Sequence, residues 1–348
     1  MTRNEPLVDR LGRVHTSLRL SVTDRCNIRC FYCMPQEDVQ FQPRSEILTF
    51  EEIEAFVRAV VPLGIRRLRL TGGEPLVRSE LPELVRRLAA IDGVEELAMT
   101  TNGLLLGEQA EALRAAGLQR INISLDALSE ANFFRIARRT GLQRVLDGIA
   151  AAQRVGWRKI RLNAVAIRGI TEAEAIPLVD FARRHGLEMR FIEFMPLDAE
   201  QKWQNDLVLD GEQLRGMLER EFGALVPCQR DDPSQPARDY EFVDGGGRVG
   251  FINPVSEPFC GTCNRLRLTA DGKVRNCLFS TTEWDARSVL RQPLPTSQRD
   301  ADREPAAATR EAALQALVRE CVDAKKPGHG IDAPEFSRPA RAMYQIGG

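Results

Sequence analysis

Between residues 18 and 194 the chain repeats one alternation of patterns. Short β-prone runs come at 18–23 (LRLSVT), 67–71 (RLRLT), 96–100 (ELAMT), 120–125 (RINISL), 159–167 (KIRLNAVAI) and 188–194 (EMRFIEF). Longer stretches with apolar residues at i, i+3 and i+4 lie between them and read as helices. In LTFEEIEAFVRAVVPLG, Thr49 is placed to cap, Glu52 sits three positions on, and Gly64 stops the helix. SELPELVRRLAAIDG and GLQRVLDGIAAAQRVG read the same way. Six β–α repeats in series predict a parallel sheet with right-handed crossovers. Repeats of roughly 25 to 40 residues suit a βα barrel, but six strands fall short of the eight of a closed one. The expected fold is therefore α/β: an incomplete, open six-stranded parallel βα barrel. A doubly wound sheet is the competing layout.

After residue 195 the pattern changes. The stretch PARDYEFVDGGGRVGFINPVS reads as a hairpin around Gly245, Gly246 and Gly247. Residues 289–310, rich in Pro, Arg, Ala and acid and without periodicity, read as an exposed mobile loop. A helix over 311–325 and a tail ending MYQIGG follow. The expected division is a barrel over 1–195 and a C-terminal region over 196–348.

Polar or glycine residues gather where each barrel strand runs out: Thr23-Asp24, Thr71-Gly72-Gly73-Glu74, Thr100-Thr101-Asn102, Ser124-Leu125-Asp126, Asn163 and Glu193-Phe194-Met195. In parallel βα architectures the active site lies at that edge, because the βα loops converge there. Caps and ordinary strand ends explain any one of these, but explain all six poorly.

Two groups of three cysteines stand out. Cys26, Cys30 and Cys33 are spaced C-x3-C-x2-C directly after the first strand; Cys260, Cys263 and Cys277 are spaced C-x2-C-x13-C. A structural zinc site needs four ligands, and each group offers three. Cys228 and Cys321, the other two cysteines, are the alternatives for a fourth ligand in a zinc ribbon. Iron–sulfur clusters are likewise held by thiolates, and three thiols on a four-iron cube leave one iron open.

Charge changes the picture little. The 48 basic and 49 acidic residues nearly balance, which argues against a nucleic-acid or membrane-surface role. The N-terminal MTRNEPLVDRLGR has no apolar core of a signal peptide, and no window approaches the ~18 apolar residues of a membrane span. A cytoplasmic protein is expected, where thiols stay reduced and clustered cysteines bind metal rather than pair.

The spacing of the first trio, Tyr32 before its last cysteine, and Gly72-Gly73-Glu74-Pro75 after the second strand resemble the radical S-adenosylmethionine (SAM) superfamily. The resemblance implies that the open iron chelates the methionine moiety of SAM. Electron transfer then cleaves the sulfonium, and a 5′-deoxyadenosyl radical takes hydrogen from substrate. It also implies SAM contacts from Tyr32, Gly73, Glu74, Ser124 and Met195. Glycines in TGGEP would let backbone approach the SAM amino group.

Further stretches narrow the resemblance: LRLSVTDRCNIRCFYCMP, RLRLTGGEPLVR, TTNGLLL, RINISLDAL, RFIEFMPLD, FCGTCNRLRLTADGKVRNCLF and the final GG. Together they are similar to the GTP 3′,8-cyclase family, also called the molybdenum cofactor biosynthesis protein A family. This implies two [4Fe–4S] clusters, the second binding the purine of GTP, and radical attack of ribose C3′ on guanine C8. The product would be the precursor of cyclic pyranopterin. Implied partners are GTP, a reductant such as flavodoxin or ferredoxin, the next pathway enzyme (cyclic pyranopterin monophosphate synthase) and, in a possible homodimer, a second copy.

A triphosphate needs cationic partners. Arg19, Arg67, Arg69, Arg161, Arg190, Arg265 and Arg267 are the expected contacts, with Thr100 and Leu266 beside them. Alternation puts Arg67 and Arg69 on one strand face, and Arg265 and Arg267 on one face of theirs. Arginines on parallel strands, otherwise buried on both faces, require a partner. Relatives more often carry lysine at positions 67 and 161, and the loop 289–310 is longer than theirs. Arg19, Arg265, Arg267, Gly347 and Gly348 are the expected catalytic set. The competing functions are another radical SAM enzyme with an auxiliary cluster, such as a peptide-modifying maturase, and a zinc-stabilised scaffold.

Overall fold

The computed structural model describes residues 5–230, 232–292, 300–331 and 333–347. All six predicted barrel strands form: β1 (Ser17–Ser21), β2 (Arg67–Thr71), β3 (Glu96–Thr101), β4 (Arg120–Ser124), β5 (Ile160–Ala166) and β6 (Glu188–Glu193). They pair in chain order, each parallel to the next. A doubly wound sheet would reverse direction at a switch point, so the sequential order decides for the barrel.

The later strands are β7 (Leu225–Pro227), β8 (Arg238–Phe242), β9 (Arg248–Ile252), β10 (Arg265–Leu268), β11 (Lys273–Arg275) and β12 (Trp284–Asp285). The predicted hairpin is β8–β9. Two strands from beyond residue 195 lengthen the parallel run: β10 joins β1 and β9 joins β6, both in parallel. The six expected strands thus sit at the centre of eight parallel ones. Antiparallel strands flank this run, giving one open sheet in the order β12-β11-β10-β1-β2-β3-β4-β5-β6-β9-β8-β7.

The helices are α1 (Phe50–Val60), α2 (Leu81–Ala89), α3 (Leu106–Ala115), α4 (Glu130–Ala137), α5 (Leu142–Arg154), α6 (Thr171–Arg184), α7 (Gly211–Phe222), α8 (Ala286–Leu290), α9 (Asp300–Asp323) and α10 (Met343–Ile346). Helix α1 starts at the predicted capping box. Thr49 Oγ1 accepts from Glu52 N at 3.2 Å, and Glu52 Oε2 accepts from Thr49 N at 2.7 Å. The alternate strand residues Leu18, Leu20, Leu68, Leu70, Leu97, Met99, Ile121 and Ile123 are buried in one core with α1, α2, α3 and α5.

The region 289–310 departs from its expected loop. Val289 and Leu290 close α8, and the chain is helical from Asp300; residues 293–299 lie outside the described residues. Leu314, Val318, Cys321 and Val322 anchor α9 in the core. Once docked, a helix extends at low cost through Ala- and Glu-rich sequence that lacks a stripe of its own.

Replacing Thr49 with alanine removes the cap of α1. The loss should be about 0.5–2 kcal/mol of stability, read by chemical denaturation, with SAM binding unchanged.

Candidate active site

The two cysteine trios, remote in sequence, line one cavity of about 410 Å³ along the inner face of the parallel strands: the first trio follows the end of β1, and the second lies at the strand starts, where Cys263 precedes β10 and Ser17 pairs with Arg265. Strands β2 to β6 bring Thr71, Thr101, Ser124, Asn163 and Glu193 to its wall, with Met195 just beyond β6, and β1 brings Ser17 and Arg19. The cysteine loop after β1 is fixed at both ends. Arg29 N and Phe31 N donate to the last carbonyls of α4, Ala137 O at 2.9 Å and Ile136 O at 3.1 Å. The TGGEP loop docks on the other side, with Gly73 N on Thr23 O (2.8 Å) and Glu74 N on Arg25 O (2.7 Å). A Cβ on Gly73 would lie 2.4 Å from Arg25 O. The crowding that requires glycine here therefore comes from the protein's own backbone.

Glu74 reaches the cavity, yet its carboxylate is held by three protein donors: Thr101 Oγ1 at 2.7 Å, Asn102 N at 2.6 Å and Leu76 N at 3.0 Å. Burial pushes it up to about 7, against those hydrogen bonds. A carboxylate has about four acceptor sites, so one is left for a ligand. Tyr32 donates to Asp126 Oδ2 at 2.7 Å, and burial raises Asp126 to about 6. Asn102 Nδ2 lies 3.8 Å from Cys26 Sγ. Asp126 and Asn102 read as strand ends in the sequence; their reach toward the thiols depends on how the loops fold.

The second trio sits on the loop before β10 and after β11. Arg265 Nε approaches Cys263 Sγ at 3.4 Å, and Lys325 Nζ does so at 3.5 Å. Burial pushes this thiol up, but Arg265 and Lys325 outweigh it and bring it down to about 6. Cys26 is instead pushed up to about 11 by burial and then by Glu74. The fourth ligands of the zinc alternative do not arrive. Cys321 is buried in the α9 core, and Cys228 lies beside β7, neither of them lining the cavity. Three thiols with N–H donors aimed at sulfur fit iron–sulfur ligation at both places.

The seven arginines separate into two kinds. Register puts Arg267, Arg19 and Arg69 side by side on β10, β1 and β2. Among the described residues none of these three has a carboxylate partner, and neither does Arg265. Arg265 lies over the Phe259 ring at 4.8 Å. Burial and then Arg265 pull Arg267 down to about 9, and burial takes Arg69 to about 10. The other three are compensated: Arg161 by Glu188 (2.6 Å), Arg190 by Asp239 (2.8 Å) and Arg67 by Asp232, where Arg67 is also largely exposed. Four buried polar atoms on cavity residues have no partner: Arg69 Nη1, Arg190 Nε, Asn122 Oδ1 and Asn163 Oδ1. A ligand with anionic groups and N–H or O–H donors would satisfy them.

Thr100 lines the cavity, as do Tyr32, Gly73, Ser124 and Met195. Leu266 does not. Its side chain is 1 % exposed and points to the helix side, as alternation between Arg265 and Arg267 demands.

The C-terminal segment returns to the site. Arg341 makes a two-point ion pair with Asp271 at 2.9 and 2.8 Å, and Ile346 packs with Leu197 and Phe279. The Tyr344 backbone lies against the Cys33 thiol, and Gly347 O accepts from Arg267. Gly347 has φ +72°, and a Cβ there would lie 2.6 Å from Thr71 Oγ1. Gly348 lies outside the described residues.

Comparison with known proteins agrees with this geometry. Residues 20–182 match the Radical SAM superfamily, and residues 187–331 match Molybdenum Cofactor Synthesis C. The fold is similar to Streptococcus suis SuiB bound to S-adenosylmethionine, with a TM-score of 0.59 at 15 % identity over 88 % of this chain and 68 % of that one. These define a radical SAM enzyme with a second, C-terminal thiol site. Two curated relatives are each named GTP 3′,8-cyclase. One, from Rhodopirellula baltica, is 50 % identical over 100 % of this chain and 94 % of its own length. Another, from Mycolicibacterium smegmatis, is 43 % identical over 99 % and 92 %. The chain belongs to the GTP 3′,8-cyclase family. It therefore uses [4Fe–4S] clusters and SAM.

Protein prepared without oxygen should carry about eight irons, and serine replacement of either complete trio should leave about four. Iron and sulfide assay checks this; about four irons with one zinc would contradict it. Gly73→Ala should abolish SAM binding, measured by calorimetry, because the TGGEP loop can no longer seat on Arg25.

Proposed function

We propose that the chain converts GTP to (8S)-3′,8-cyclo-7,8-dihydroguanosine 5′-triphosphate, the first step of molybdenum cofactor (molybdopterin) biosynthesis. The observation that carries this reading is the row Arg267–Arg19–Arg69, without carboxylate partners, in a cavity that six thiols line. Its family membership agrees.

In this reading Cys26, Cys30 and Cys33 hold the SAM-side cluster, and Cys260, Cys263 and Cys277 hold the substrate-side one. When bound, the first cluster and SAM supply one-electron chemistry that removes a hydrogen atom from ribose C3′. The protein's part is to position and to exclude water. Tyr32, Gly73, Glu74, Ser124 and Met195 orient SAM. Arg19, Arg69, Arg265 and Arg267 take the triphosphate through charge-assisted hydrogen bonds. Asn122 Oδ1 and Asn163 Oδ1 accept from the ribose and base, with Thr100 beside them. Arg161 and Arg190 keep their carboxylates and offer their remaining N–H groups, while Arg67 contributes least. Met343 and Tyr344 close the cavity on the tail side, and Gly347, with Gly348 beyond it, holds Arg267 in line with the substrate.

The proposal extends to the surroundings. A one-electron donor of the flavodoxin or ferredoxin kind must supply the reaction from outside. Hand-off to cyclic pyranopterin monophosphate synthase and a homodimer belong to the same proposal. The cytoplasm is the proposed compartment, since thiol ligands need a reducing one. No helix of the described residues is long and apolar enough to cross a membrane.

Arg69→Ala, Arg265→Ala and Arg267→Ala should each weaken GTP binding roughly ten- to hundredfold, from about 1.5–3 kcal/mol per charged hydrogen bond. Arg67→Ala should cost less, because Asp232 already compensates it. Calorimetry with GTP and with SAM checks this, and equal losses for both ligands would contradict the assignment. Truncation after Ile346 should leave iron content and SAM binding intact while cutting cyclisation sharply. Product formed at the parental rate would remove the tail from the mechanism.

A further inference from the structure

Lys325 follows α9 and is 6 % exposed. Its ammonium has two partners: Arg265 O at 2.9 Å and Cys263 Sγ at 3.5 Å. No carboxylate pairs with it among the described residues. A buried ammonium without a counter-charge is costly, and the thiolates of the second trio are the negative groups within reach.

The placement is rigid. Arg13 Nη1 donates to Cys260 O at 2.8 Å and its Nη2 to Lys326 O at 2.9 Å, tying the segment after α9 to the cysteine loop. Arg13 is itself held by buried Asp9 at 2.6 Å, which also meets His15 at 3.1 Å. Further along, the His329 backbone lies against the Cys260 thiol, and the His329 ring meets Pro254 O at 2.7 Å. Two consecutive turns of chain thus converge on the second trio. The first trio has different neighbours: the neutral amide of Asn102 near Cys26 Sγ, the carboxyl groups of Glu74 and Asp126 at the same end of the cavity, and one cation, Arg29, whose Nη1 donates to Cys26 O at 2.8 Å and not to a sulfur.

We propose that Lys325 is a positioning residue that raises the reduction potential of the second cluster and so separates it from the first. A cube with three thiolate ligands is anionic and becomes more so on reduction. A fixed ammonium beside one ligand sulfur stabilises the reduced form more than the oxidised one, and an N–H···S contact acts in the same sense. Strongly reducing chemistry is then left to the end of the cavity that Glu74 and Asp126 flank.

The inference rests on the second trio holding a cluster. The test uses the full chain with Cys26, Cys30 and Cys33 replaced by serine, reconstituted without oxygen, with Lys325 or with Lys325→Met, Lys325→Gln or Lys325→Arg. Iron is assayed, and the midpoint potential is read by titration followed by electron paramagnetic resonance. Met and Gln should keep the iron and shift the one-electron equilibrium at least tenfold toward the oxidised form, a fall of about 59 mV. Arg should restore most of it. An unchanged potential in Met and Gln, or an Arg variant as low as Met, overturns the proposal. Loss of the cluster in Met and Gln but not Arg assigns Lys325 to cluster retention and overturns it too. Absence of iron with Lys325 in place instead overturns the two-cluster reading, and this inference with it.

Discussion

Three guanidinium groups held side by side in the interior of a sheet are the constraint on which the site depends. Arg267, Arg19 and Arg69 stand at one level on adjacent strands because the register of β10, β1 and β2 pairs them directly. Like charges about 5 Å apart on neighbouring strands destabilise a sheet. Each guanidinium of the row also feels the repulsion of its neighbours, as Arg19, lowered first by burial and then by them, shows. Carboxylates relieve this cost for Arg67, Arg161 and Arg190, but not for the row. The rest of the fold compensates with a large apolar layer on the opposite sheet face, where Leu18, Leu68 and Leu266 lie at the alternate positions. The row is left for a polyanion, and phosphate charge is what its geometry suits.

The same economy of charge separates the two thiol sites. Around the first trio the loops bring a carboxylate that three donors fix, a tyrosine bonded to an aspartate, and a neutral amide. Around the second they bring a guanidinium and a buried ammonium. Two centres of one chemical type can differ in behaviour within a single cavity because cationic N–H groups meet a sulfur directly at the second, whereas at the first Arg29 bonds the Cys26 carbonyl. The returning C-terminal segment touches both sides, through Tyr344 to Cys33 and through Gly347 to Arg267.

Much of this was written in short-range pattern. The six strands and the capped helix α1 follow from alternation, from i, i+3, i+4 spacing and from Thr49, Glu52 and Gly64, all of which act within a few residues. Both thiol trios are legible because metal ligation demands particular residues at close spacing. The seven arginines could be named for the same reason: alternation tells which strand face each occupies.

What the sequence alone could not determine is which distant groups meet. Whether an arginine is free or compensated depends on Asp232, Glu188 and Asp239, which reach it only through the folded sheet. The entry of β9 and β10 into the parallel run, the helical state of the chain from Asp300, and the burial of Lys325 against Cys263 all arise from docking between segments far apart in sequence. Local pattern determined the strands, the helices and the ligand types. Tertiary structure decided their partners, because electrostatic and hydrogen-bond compensation is a property of proximity in space and leaves no periodic trace along the chain.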